Sequence, residues 1–145
     1  MDNWWLQKYH KNQIDEITQL IKEQSNVINH GWVNKDILQR YWAQTQIWLY
    51  PCIFDETSCL TAFEAASSKT LIITSDLAAL NETVGDRGII IPGDPMNMTW
   101  HDTALRIVCD IFNGKINTEF LINRNYEWSM TKTYDKMINQ LLRLI

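Results

Sequence analysis

Between Trp4 and Lys22 the apolar residues Leu6, Tyr9, Ile14, Ile17, Leu20 and Ile21 recur at three- and four-residue spacings, which predicts an amphipathic helix. The next short apolar segment, NVINHG, ends at Gly31 and predicts a strand. Helical spacing returns in NKDILQRYWAQ, with Asn34 placed to cap and Ile37, Leu38 and Tyr41 on one face. IWLYPC is a continuous apolar run stopped by proline, as expected of a strand covered on both faces. A helix over Ala62 to Ser67 follows, and Thr61-x-x-Glu64 has the form of a capping box at its start. TLIITS is another apolar, β-branched strand, LAALNETVG a short helix closed by Gly85, and GIIIPGDP a last strand. From Thr99 to Ile145 the pattern is helical: WHDTALRIVCDIFNG places Ala104, Ile107, Val108 and Ile111 on one face, and NYEWSMTKTYDKMINQLLRLI reads as one terminal helix.

Strands alternating with helices call for βαβ crossovers and a parallel sheet. The expected fold is therefore α/β: a Rossmann-like doubly wound parallel sheet of about four strands flanked by helices, with a helical C-terminal third, all within one domain spanning 1–145. Such sheets bind ligands outside the carboxyl ends of their strands, in loops leading into helices. Here those loops are GWVNKD and CIFDETSC.

Charge and composition narrow the function. Thirteen Lys and Arg against 17 Asp and Glu leave a net charge of −4, and no basic stripe runs along a predicted helix, so no nucleic-acid partner is expected. No apolar run approaches the roughly 20 residues of a membrane span, and MDNWWLQKYHKNQ lacks the pattern of a signal peptide, so a cytoplasmic chain is expected. Cys52, Cys59 and Cys109 include no C-x-x-C pair and read as free thiols, with no metal site. Of the seven tryptophans, Trp32, Trp42, Trp48 and Trp128 read as core. The adjacent Trp4 and Trp5 cannot both face inward, and a homodimer is one way to cover the outer one.

Two glutamates, Glu56 and Glu64, flank the small-residue turn Thr57 to Leu60. Each has a plain reading, Glu56 as a solvated loop acid and Glu64 as part of a cap. Together they also suit a nucleotide-sugar clamp. Free N–H groups at a helix start favour phosphate, a carboxylate in the first turns of the helix can accept a ribose diol, and a carboxylate before the turn meets what lies beyond the phosphate.

The ordered set Tyr50-Pro51, Glu56, seven residues, Glu64-Ala65, the strand Leu71 to Thr74, Glu82-x-Val84-Gly85 and the strand Gly88 to Pro92 resembles the donor-binding half of retaining GT-B glycosyltransferases (group 1, family 4-like, E-x7-E motif). NHGWV is similar to that family's x-G-x-V strand end, and the resemblance covers about Val27 to Met137. It implies that Glu64 binds ribose hydroxyls, that Glu56 acts as the catalytic-site acid contacting the transferred sugar, and that the amides around Ser58, Cys59, Leu60 and Thr61 hold the distal phosphate. Trp32 and Val33 would lie against the base. The implied ligand is a UDP-, GDP- or ADP-sugar, with no metal and no other cofactor, because a helix dipole and basic side chains stabilise the departing diphosphate.

The chain departs from the family pattern in three places. T-S-C stands where G-F-G is usual, Ser67-Ser68-Lys69 stands for A-x-G, and the basic Arg/Lys pair has no counterpart. By this resemblance the chain corresponds to part of a donor-binding domain. An acceptor-binding N-terminal domain or partner chain would complete it, and little transferase activity is expected of the chain alone. The competing reading is a degenerate GT-B-like domain serving as an interaction or scaffold module. A flavodoxin-like signalling domain would use Asp76, which has no companion acids in the sequence.

Overall fold

The computed structural model describes residues 4–143, with side chains described over 14–143 except at 134, 137, 140 and 141. The chain divides into two compact units, Met1–Lys35 and Asp36–Ile145. In the first, α1 (Trp4–Glu23) forms where the apolar spacing predicts it. The side chains of Trp4 and Trp5 lie outside the described residues.

The expected strand at NVINHG does not form; the segment after α1 is turn and irregular backbone. Its apolar pair stays outside, with Val27 46% and Ile28 74% exposed. The flanking polar residues supply a competing local structure. The Asn29 side-chain carbonyl accepts the Gly31 N–H at 2.9 Å, and Gly31 takes φ +58°, a left-handed conformation that glycine adopts without steric cost.

The second unit carries nearly all of α2 (Lys35–Trp42), followed by β1 (Ile47–Tyr50), α3 (Leu60–Ser67), β2 (Leu71–Ser75) and α4 (Leu80–Thr83). A 3-10 turn (Gly85–Arg87) leads into β3 (Ile89–Ile91), and α5 (Met98–Phe112), α6 (Glu119–Met130) and α7 (Tyr134–Leu142) complete it. Among the described residues the sheet has three strands, one fewer than expected, in the order β1-β2-β3. All pairs are parallel, with Ile47 opposite Leu71 and Ile73 opposite Ile89.

The period of two in a strand explains the two-layered core. Ile72 packs on one face with Trp42, Cys52, Cys59, Ala62, Ala65, Leu80 and Val84. Leu71 and Ile73 point to the other face, into a cluster with Ile91, Trp100 and Ala104. Every residue of β2 is buried, which is why Leu71, Ile72 and Ile73 run apolar without alternation before the buried Thr74 and Ser75. Gly88 marks the tightest approach: a Cβ there would stand 2.6 Å from Val84 Cγ1 and 2.8 Å from the Ile72 carbonyl oxygen.

The single terminal helix expected of the sequence is instead two. α6 stops at Met130, where the Ser129 and Thr131 hydroxyls donate to the Tyr126 and Trp128 carbonyls, each at 2.7 Å. Short hydroxyl side chains compete in this way with continued helix.

Candidate functional site

Pro51 ends β1, and the chain beyond it is tied to the neighbouring strand. Thr74 Oγ1 donates to the Tyr50 carbonyl at 2.8 Å and the buried Ser75 Oγ donates to the Cys52 carbonyl at 2.7 Å. Two polar residues therefore end the β2 run for a reason: they hold the loop of β1 at the carboxyl edge of the sheet. Glu56 is pinned on both sides of its peptide. Its N–H donates to the Phe54 carbonyl at 2.9 Å, and its own carbonyl accepts the Ala79 N–H at 3.2 Å. The loop that supplies Ala79 contains Ala78 at φ +47°, a left-handed conformation uncommon for a residue with a Cβ.

A phenol and two thiols lie near the Glu56 carboxylate. The Tyr50 phenol donates to Oε1. The Cys52 sulfur lies 4.0 Å from the same oxygen and 3.2 Å from the Phe54 carbonyl, the closer acceptor for its proton. Burial, then a hydrogen bond to Glu56, push the Cys59 thiol up to about 12, against a bond from the Ala62 backbone that lowers it. The Tyr50 phenol is also raised, first by burial and then by its contacts with Cys52 and Glu56. Both shifts favour the protonated thiol of Cys59 and the protonated phenol of Tyr50 at neutral pH. Behind Tyr50, its ring stacks on Trp48 with centroids 4.7 Å apart, and Trp48 meets Trp42 edge-on at 5.7 Å.

The helix start differs from the sequence expectation. Cys59, not Thr61, is the N-cap, with extended backbone and no side-chain capping bond, so the Thr61-x-x-Glu64 capping box does not form. The reason is packing: burying Cys59 with Ala62, Ala65 and Ala66 starts the helix two residues earlier. Thr61 then falls within the first turn and half-buried Glu64 in the second, a position from which it cannot cap. The first-turn N–H groups of α3 are those that a helix cannot pair internally, and they carry the positive end of its dipole.

Glu56, Ser58, Cys59, Leu60, Thr61 and Glu64 thus share one loop and the opening turns of one helix. Cys59 is buried, so only its backbone is placed to meet a ligand, whereas Ser58 and Leu60 are exposed. Trp32 and Val33 belong to the first unit. Trp32 is 96% exposed, which corrects its reading as core, and no strand precedes the loop that carries it. Trp42 is buried as expected, with Trp48 and Trp128 half-buried.

The Glu82-x-Val84-Gly85 motif is structural in its geometry. Val84 enters the core and Gly85 takes φ +52°. Arg87 donates to the Glu82 and Thr83 carbonyls at 2.9 and 3.0 Å, and its guanidinium lies 4.4 Å from the Trp128 ring centre. Asp76 accepts from the Asn81 side-chain amide, which assigns it a loop-bracing contact. Sequence reading missed the Tyr50 hydroxyl and the Cys52 and Cys59 thiols as neighbours of Glu56; the six-residue step from Tyr50 around Pro51 has no periodic signature. Among the described residues, no group of three or more His, Cys, Asp or Glu is placed to hold a metal ion. No helix among them is long and apolar enough to cross a membrane.

The family model described as glycosyl transferases group 1 matches residues 8–108, more than half of the 145-residue chain. A comparison with curated proteins gave no match.

Proposed function

The chain belongs to the group 1 glycosyl transferases, and from that premise we propose that its sheet edge is the donor site of a retaining, GT-B-type transferase that binds a nucleoside-diphosphate sugar. The observation that carries the reading is the release of Glu64 from capping: a half-buried carboxylate in the second turn of α3 has no structural duty at the helix start. In this reading Glu64 accepts the ribose hydroxyls, as acidic residues do in dinucleotide folds. The amides from Ser58 to Thr61 receive the distal phosphate at the positive end of the helix dipole. Glu56, just before that turn, accepts from hydroxyls of the transferred sugar. The amides supply electrostatic stabilisation as negative charge develops on the departing diphosphate. An acceptor-binding domain or partner chain completes the site, and the reaction takes place in the cytoplasm.

The test is a calorimetric titration of the chain with UDP, GDP and ADP and their hexose conjugates, repeated on Glu64→Ala. One nucleotide should bind. In the variant that affinity should fall roughly tenfold or more, the value of a charged hydrogen bond, with little change in thermal stability. A variant that melts markedly lower while binding normally would restore the capping role and sink the reading. A second reading, an interaction module of the same fold, is favoured by the 96% exposure of Trp32. It predicts silence across the whole nucleotide panel.

A further inference from the structure

We propose that Tyr50 is a positioning residue for Glu56: its phenol donates to Oε1 and fixes the carboxylate in an orientation in which it can accept a hydroxyl of the bound sugar. The identity of that ligand rests on the donor-site reading above; the positioning rests on geometry. The Tyr50 O–H donates to Oε1, and the Cys52 thiol lies 4.0 Å from the same oxygen. The Tyr50 hydroxyl is thus a donor committed to the carboxylate within the protein itself.

Tyr50 is itself held. Its ring lies at 13° to Trp48, and its carbonyl receives the Thr74 hydroxyl at 2.8 Å. With the Glu56 backbone bonded at both its N–H and its carbonyl, only the side-chain torsions remain free, and the phenol removes that freedom before ligand arrives. Ordering a glutamate side chain during binding costs affinity, so a carboxylate fixed in advance binds its hydroxyl more tightly.

Tyr50→Phe keeps the stacked ring and deletes the donor, and it is compared with Glu56→Gln and the double variant in the full chain. The probes are UDP, GDP and ADP and their hexose conjugates. Expected is unchanged binding of the bare nucleotide, with a loss of roughly three- to tenfold for its hexose conjugate that vanishes in the Glu56→Gln background. Equal losses for nucleotide and conjugate, or no loss for either, would overturn the proposal. If the wild-type chain binds no nucleotide, the donor-site reading fails by itself. The isotope-labelled Glu56 carboxyl resonance, recorded without ligand, then decides: a change in Tyr50→Phe sustains the positioning role, and an unchanged signal refutes it.

Discussion

TLIITS and NVINHG both read as strands, yet only the first becomes one. In β2 all five residues are buried between two helical layers, and both neighbouring strands pair with it. In NVINHG two apolar residues stand between asparagines, Ile28 remains 74% exposed, and an Asn29 side chain bonds the Gly31 backbone instead. The difference is partnership. A strand's backbone groups need an adjacent strand, and apolar content becomes strand only when packing on both faces rewards it. Side-chain amides that satisfy the backbone locally tip a short, weak run the other way.

The largest effect expected from this contrast is at Ile73→Ala, which empties a fully buried position of β2. It should cost about 2–5 kcal/mol in chemical denaturation; a loss below about 1 kcal/mol would mean that the β2 core repacks freely and would break the comparison. Next comes Gly88→Ala. Its new methyl meets the Ile72 carbonyl and Val84, and we expect a loss of about 1–3 kcal/mol, visible as a lower melting temperature. The smallest is Ile28→Ala, which should stay within about 0.5 kcal/mol of wild type. A larger loss there would show that the segment contributes a buried contact after all.

Much of the second unit was legible because its signals are local. Pro51 ends IWLY, Gly85 ends the helix before it, and the buried strands announce themselves by runs without polar interruption. Helix registers were less legible. Thr61 and Glu64 match a capping box in sequence, but burial of Cys59 and three alanines outweighs the roughly 1 kcal/mol that a cap supplies. The break between α6 and α7 depends on hydroxyl contacts at Ser129 and Thr131 that have no apolar period. For the candidate site, motif order located Glu56 and Glu64, while their surroundings came only from the fold. Tyr50 meets Glu56 because the Ser75 and Thr74 hydroxyls bend the intervening loop back over the strand ends, a contact between elements that no single segment encodes.

The aromatic stack behind Glu56 also gives the site an optical voice. Two indoles set edge to face at 87°, with a phenol lying parallel on one of them, form coupled chromophores of fixed handedness. Light absorbed by Tyr50 passes to Trp48 rather than being re-emitted, and the indole pair imprints its geometry on the near-ultraviolet circular dichroism. A molecule that draws Glu56 away from the phenol alters the surroundings of Tyr50 within this stack, and the near-ultraviolet signal is where that change would be read.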